Sequence, residues 1–600
     1  MSVIIHNTCR YVVFSLITNI SVSKTGDTAG SLDVIGNSLQ AVDFQKKRHL
    51  HCISMKREVA VLLAEALDAL GVCPRPPIEI EVPREESFGD LSTPVAMGLA
   101  RSLKKAPRKI AEDIVSRLKV SSIFEKIEIA GPGFINVTFT KAYLFASLKQ
   151  LLRAEKSFLR ENVGEGKKVL IEFVSANPTG PLHIGHARGA AAGNALCNLL
   201  QESGFSVDRE YYVNDAGRQV KLLGLSVYAR YQYMLSNEVP FPEDGYRGQY
   251  IDDEASALLA ETGEKYKGIP FETCGDEITS WTYARMLLLI RRDLERFGVK
   301  QFDAWVSEKE IFARGEVREA IEALKQKGFI YDYDNALWFR STDFGDDKDR
   351  VVIKSDGEYT YFASDIAYHK NKLDRGYDII IDIWGADHHG YIPRIESVMQ
   401  AFGYDISKFK VILVQMVNLL KHGEPFQMSK RAGTFVTLSD IMDLVGADTT
   451  KFIFLTRKAD SHLDFDLDVV TATSAENPVY YVQYANARIS SILSNAREKG
   501  LEAGQDSDLS FLLEPAELSL IKKLVAYPMV LENAARSLEP HRITFYLQEL
   551  AGMFHTYYHN HRVIGEDPAL TGARLSLCEG IRIVLGDALG ILGVSAPEKM

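Results

Sequence analysis

The stretch Lys167–Glu202, KKVLIEFVSANPTGPLHIGHARGAAAGNALCNLLQE, constrains the fold more than any other part of the chain. Val169–Ser175 is apolar and rich in branched residues, the pattern of a strand buried on both faces. The Pro/Gly-punctuated run Ala176–Leu182 can only be a turn. His183–Ile184–Gly185–His186 then opens a helix of small residues reaching about Glu202. A strand, a tight loop and a helix N-terminus make a phosphate cradle, because free amides and the helix dipole both point at the anion. The stretch contains neither GxGxxG nor GxxxxGK[ST], so neither a dinucleotide fingerprint nor a P-loop explains it. Two imidazoles three residues apart on one helical turn supply the donors instead.

Around this stretch, 600 residues are too many for one core, and roughly three to four domains are expected. Residues 166–455 alternate helices with apolar strands in the manner of a Rossmann-like parallel sheet, interrupted by a charged helical insertion at about 246–322. Residues 55–145 read as a smaller α+β unit, and residues 456–600 as an all-α helical bundle. Met55 begins an amphipathic helix with Val59, Leu62, Leu63, Ala66 and Leu67 at helical spacing. Residues 1–54 lack such a pattern and read as a disordered or non-native extension, with translation expected to start at Met55. Their apolar run Tyr11–Ile20 is interrupted by polar residues and far too short to span a bilayer. The six cysteines form no CxxC or Cys/His pair, so no structural metal or disulfide framework is expected, and a reducing cytoplasm fits. A net charge of −11 argues against bulk nucleic-acid binding but leaves room for a local basic groove.

Further chemistry is concentrated in four places. Gln427–Met428–Ser429–Lys430–Arg431 sits in a loop bounded by Gly423 and Gly433, where a mobile cation could close over phosphates. Ile383–Trp384–Gly385–Ala386–Asp387–His388–His389–Gly390 follows the apolar strand Tyr377–Asp382, and the carboxyl ends of parallel strands are where ligands bind. There Gly385 would let a nucleoside approach and Asp387 could accept from a ribose hydroxyl; adjacent residues rarely aim at one metal ion. Glu172 is the one ionisable residue in its apolar strand, so a cation should face it. Tyr480, Tyr481, Tyr484 and Arg488, with Tyr557, Tyr558 and Arg562, interleave aromatics and cations as suits stacking on unpaired bases, or simply pack a helix core.

The HIGH sequence at 183–186 resembles the signature of class I aminoacyl-tRNA synthetases, and the flanking Ala176–Leu182 resembles the arginyl-tRNA synthetase family in particular. The likeness runs from Met55 to Met600. It takes in Ser87–Phe88–Gly89–Asp90, Gly131–Asn136 and the Ala-Pro-Glu-Lys-Met terminus. It implies an enzyme that activates L-arginine with ATP and charges tRNA(Arg), with tRNA bound before arginine is activated. Mg²⁺ would be carried in with ATP. His183, His186 and Lys430 would be catalytic. Gly185, Gly385, Asp387, His388, Met428 and Ser429 would join them in binding ATP, and Gln427 departs from the KMSKS pattern of the family. Glu172, Asn177, Tyr361 and Asp365 match substrate-holding positions, although an N-cap is the structural alternative for Asp365. The N-terminal unit would touch the tRNA elbow, with Arg101, Lys104, Lys105, Arg108 and Lys109 available for phosphates. A cytoplasmic monomer is expected, with no membrane partner. A stand-alone nucleotidyltransferase on the same HxGH core would leave the C-terminal helices unexplained, and a non-catalytic tRNA-binding paralogue would not need His183, His186 and Lys430.

Overall fold

Alternation of buried branched strands with helices produces a parallel sheet, and its strand order places the functional loops. The computed structural model describes residues 54–83, 85–118, 122–426, 436–504 and 507–600. Residues 1–53 and the Gln427–Met428–Ser429–Lys430 segment therefore lie outside the described residues. Ser54, at the end of the expected extension, instead caps helix α1 (Met55–Ala69) by accepting from the Arg57 amide. The buried face of α1 is Val59, Leu63, Ala66 and Leu67, as its spacing requires.

This helix packs with an antiparallel sheet of β1 (Leu91–Thr93), β2 (Phe124–Ala130) and β3 (Phe134–Phe139), in the order β1-β3-β2. The glycine-bearing motifs here are structural. Gly89 has φ +88°, and a Cβ on it would meet the Val137 carbonyl at 2.7 Å. An isolated antiparallel bridge, Glu81 to Ser92, extends this sheet.

The central sheet contains β4 (Lys168–Glu172), β5 (Ser206–Val213), β6 (Ala304–Ser307), β10 (Ile379–Gly385) and β11 (Phe409–Val414). All are parallel, in the order β11-β10-β4-β5-β6. The order reverses between β4 and β10, so a ligand crevice opens at their carboxyl ends. Between β4 and β5 runs α2 (Ile184–Glu202), whose small residues let it lie close to the sheet; at Gly193 a Cβ would fall 2.3 Å from the Phe173 ring. β4 stops at Glu172, not at Ser175 as its apolar run suggests. Val174 and Ser175 take φ of +69° and +39°, a left-handed bend that no strand accommodates.

The helical insertion is displaced from its expected limits. It comprises α3 (Arg218–Met234), α4 (Gln249–Thr262) and α5 (Phe271–Arg296) around its own core of Leu223, Val227, Tyr231, Ile251, Ile278 and Met286. Ala304–Ser307, inside the expected insertion, is instead the sheet edge: Trp305 stacks on Tyr211 at 4.3 Å, burying aromatic area that four residues of sequence could not advertise. A small antiparallel sheet, β7 (Ile330–Tyr333), β8 (Ala336–Phe339) and β9 (Arg350–Ile353), precedes α6 (Tyr361–Asp374).

After β11, β12 (Val417–Lys421) pairs with β13 (Glu424–Pro425) and, in parallel, with β14 (Leu463–Asp466). The first residues of the expected C-terminal bundle thus belong with this sheet. The bundle proper is α7 (Pro478–Glu498), α8 (Pro515–Val525), α9 (Tyr527–Ser537), α10 (His541–Asn560) and α11 (Pro568–Ile591). Ion pairs Lys522–Asp90 (2.7 Å) and Lys56–Glu532 (2.8 Å) tie it to the N-terminal unit.

Candidate active site

The crevice is built from the loops after β4 and β10. His183 is the N-cap of α2: its Nδ1 accepts from the amides of Gly185 (3.1 Å) and His186 (3.4 Å). His186 Nδ1 in turn accepts from the His183 amide (3.4 Å), and the two rings stack at 3.6 Å. Accepting at Nδ1 fixes the proton on Nε2 of both rings. Burial lowers both pKa values, that of His186 to about 3, so both are neutral donors at pH 7.

The segment after the glycine-bounded loop returns to this point. Leu438 N donates to the Leu182 carbonyl (2.7 Å) and Ile184 N to the Val436 carbonyl (3.1 Å), forming a bridge between His183 and Thr437. Arg188, almost wholly buried on α2, donates to the carbonyls of Gln415, Ser461 and Lys458 (2.9, 2.8 and 3.0 Å). This staples the helix to the end of β11; Gln415 itself contributes its backbone there. At the end of β10, Gly385, Asp387 and His388 are exposed, with His388 Nε2 3.5 Å from the Asp387 carboxylate.

The carboxylates sort by their partners. Glu172 is already balanced: Ser175 Oγ donates to Oε1 (2.8 Å), and Tyr368 OH (2.9 Å) and Lys372 Nζ (2.5 Å) donate to Oε2. The cation that its sequence context demanded is therefore Lys372 of the same chain. Asp365 is different. Helix α6 begins at Tyr361 with Thr360 at its N-cap, so Asp365 lies one turn inside and is no cap. Among the described residues, its carboxylate accepts from Tyr391 OH. Burial, with Glu308 and Glu172 nearby, pushes its pKa up to about 6 despite Tyr391 and His369.

Glu308 is the residue that sequence reasoning missed. It is 3% exposed, and burial raises its pKa against hydrogen bonds from the Ser364 and Tyr212 hydroxyls. Asn214, with its amide turned to satisfy both ends, donates to Glu308 Oε2 (3.0 Å). Glu308 follows the capping Ser307 and is separated from Glu310 by Lys309, a charged stretch that reads as an ordinary exposed first turn. Nothing local marks it as buried. Tyr361 is 69% exposed, and Asn177, also exposed, donates to Gln219 Oε1 (2.9 Å).

On the C-terminal bundle, Arg488 lies over the rings of Tyr484 (4.4 Å) and Tyr558 (5.0 Å), and Tyr480 stacks on Tyr484 (5.7 Å). Arg488, Tyr558 and Arg562 line an open groove of about 670 Å³. Tyr557 does not join them: it is fully buried, with its hydroxyl on Glu517 (3.1 Å), so a base cannot reach it, while Tyr558 beside it lines the groove. In the N-terminal unit, Arg101, Lys104, Lys105, Arg108 and Lys109 are all exposed, with Lys105 and Lys109 paired to Asp113 and Glu112.

A parallel sheet with a HIGH helix at its switch point, followed by a helical bundle, defines a class I aminoacyl-tRNA synthetase. Residues 147–509 match the catalytic domain described as tRNA synthetases class I (R), residues 57–139 the arginyl tRNA synthetase N terminal domain, and residues 482–600 the DALR anticodon binding domain. The chain belongs to the arginyl-tRNA synthetase family. It is 50% identical to the arginine–tRNA ligase of Citrifermentans bemidjiense over 88% of this chain and 95% of that one. It is 47% identical to that of Bacillus subtilis over the same shares. The fold matches Thermus thermophilus arginyl-tRNA synthetase with a TM-score of 0.71 at 21% identity, over 91% of this chain and all of the other. Among the described residues, no helix is long and apolar enough to cross a membrane.

Proposed function

We propose that the chain activates L-arginine with ATP to arginyl-adenylate and transfers it to the 3′-terminal adenosine of tRNA(Arg), releasing AMP and pyrophosphate, with Asp365 and Glu308 receiving the guanidinium. The observation that carries this assignment is a pair of neighbouring carboxylates, Glu308 buried and Asp365 half-buried, whose pKa values are both raised by desolvation. A planar guanidinium matches two carboxylates bidentately where an ammonium does not, and a substrate lacking it leaves both charges unpaired, so discrimination is large. Tyr361 and Asn177 flank this position as mouth residues. Glu172 supports it from behind.

The carboxylate of arginine attacks the α-phosphorus, and negative charge grows on the phosphate oxygens as pyrophosphate leaves. His183 and His186 offer neutral Nε2–H donors fixed in place before the reaction, so no proton need move to stabilise that charge. Lys430, carried by the loop that ends against the HIGH residues, supplies the cation for the leaving phosphates. ATP enters as its Mg²⁺ complex, with Gly385 and Asp387 receiving the adenosine. Tyr480, Tyr484, Arg488, Tyr558 and Arg562 receive unpaired tRNA bases, and the basic residues from Arg101 to Lys109 receive elbow phosphates. A monomer is expected, and the free thiols of Cys73, Cys197, Cys274 and Cys578 suit the cytoplasm. A charging assay with each amino acid and total tRNA tests the reading. Charging by arginine alone is expected; charging by lysine, or adenylate formation with no transfer to tRNA, would reject it.

A further inference from the structure

Three carboxylates lie side by side within the catalytic sheet. Asp382 on β10 pairs in register with Glu172 on β4, and Glu172 with Glu210 on β5. Asp382 and Glu210 are fully buried and Glu172 nearly so. Neighbouring strands are only about 4.8 Å apart, so three like charges in a row are tolerated only if matched from outside the sheet.

Helix α6 provides most of the match. Lys372 Nζ bridges Glu172 Oε2 (2.5 Å) and Asp382 Oδ1 (2.7 Å). Tyr368 OH bridges Glu172 Oε2 (2.9 Å) and Glu210 Oε1 (2.7 Å). Arg375, the C-cap of α6, forks Glu210 (2.5 and 2.9 Å). His369 joins Asp382 Oδ2 (3.1 Å) to the backbone carbonyl of Asp365 (2.8 Å). Tyr361, Asp365, Tyr368, Lys372 and Arg375 follow one another at three- and four-residue steps, which makes them a single stripe along the helix. The far end of the stripe is locked to three strands, while its near end presents Tyr361 and Asp365 to the crevice.

We infer that Lys372 is a positioning residue for arginine: by bridging β4 and β10 it fixes the axial register of α6, and with it the place where Asp365 meets the guanidinium. Such a role is plausible in size because displacements of about 1 Å at a reacting or binding group can cost on the order of 100-fold. Lys372 lies about 10 Å along the helix from Asp365, at 1.5 Å per residue, so it acts through the helix and not by contact with the substrate. The inference rests on the reading of Asp365 as a guanidinium ligand.

The test measures arginine and ATP KM values by tRNA-dependent pyrophosphate exchange, with a thermal melt on each variant. Lys372→Met keeps most of the side-chain length and removes the cation. Lys372→Met/Asp382→Asn also removes the charge orphaned by that change, so the question stays answerable if the single variant does not fold. Either folded variant is expected to raise the arginine KM at least tenfold and leave the ATP KM within twofold. In an Asp365→Asn background, adding the Lys372 change is expected to raise the arginine KM by less than twofold, because the group being positioned is already gone. A wild-type arginine KM in the folded double variant overturns the inference, as does an equal rise in both KM values. If Asp365→Asn alone leaves arginine KM unchanged, the guanidinium assignment has failed, which is a different outcome from failure of the positioning role.

Discussion

Replacing Asp365 with Asn should stabilise the protein while crippling its use of arginine, two effects of opposite sign from one substitution. Burial holds this carboxyl at about 6, against 3.8 for an unperturbed aspartate. The folded state therefore binds the proton more tightly than the unfolded chain does. The cost of keeping Asp365 ionised is fully present above pH 6 and disappears as the pH falls through 6 towards 4. About two pKa units at 1.36 kcal/mol each put that cost at about 3 kcal/mol at pH 8. Asn keeps the side-chain shape and an oxygen to accept from Tyr391, so Asp365→Asn should raise Tm at pH 8 by about 2 °C for a chain of this size and leave it unchanged at pH 4. At pH 8 the same variant should lose about 2–5 kcal/mol of kcat/KM for arginine, the range for truncating one partner of a buried charge pair, with the ATP KM nearly unaffected. Wild-type kcat/KM for arginine should itself fall about tenfold per pH unit below 6, since a protonated Asp365 must ionise before the guanidinium is accepted. The defect of the variant should therefore narrow in acid. The assays are scanning calorimetry at both pH values and arginine-dependent charging from pH 5 to 8.5. A lower Tm at pH 8 with normal arginine kinetics would refute the reasoning and make Asp365 a purely structural group.

Glu308→Gln should behave in the same direction, with a loss of about 2–5 kcal/mol in kcat/KM for arginine, and a normal arginine KM would remove Glu308 from the pocket. Lys430→Ala should depress kcat while tRNA affinity stays close to normal, because its charge is needed as pyrophosphate leaves; equal losses in rate and in tRNA affinity, by filter binding, would count against it. Gln427→Lys should be neutral or slightly activating in the same assay. Arg488→Ala should weaken tRNA binding by about 1–3 kcal/mol with arginine and ATP KM unchanged, whereas an unaltered tRNA Kd would reduce the Tyr484–Arg488–Tyr558 stack to a packing feature.

The sequence by itself determined what is local and periodic. A branched apolar run, a Pro/Gly turn and His183–Ile184–Gly185–His186 specify strand, loop and helix cap within 20 residues, and the helix does begin on His183 as its cap. Tyr361 and Asp365 are legible differently, from the likeness of a short motif to the family and not from any periodic pattern. What only the tertiary structure decided is which charges already have partners. Lys372 is 10 residues from Asp382 but 200 from Glu172, and no pattern along the chain says that one ammonium serves both. Glu308 is followed by Lys309 and Glu310, which face solvent, yet its own side chain is enclosed by Tyr212 and Ser364 from β5 and α6. Tyr557 and Tyr558 are adjacent and chemically identical, and only the packing of α10 against Glu517 of α8 sends one into the core and leaves the other in the groove. Periodicity records the average environment of a helix or strand face. The cost of burying a charge depends on the few atoms around it, and those come from segments that meet only when the sheet closes.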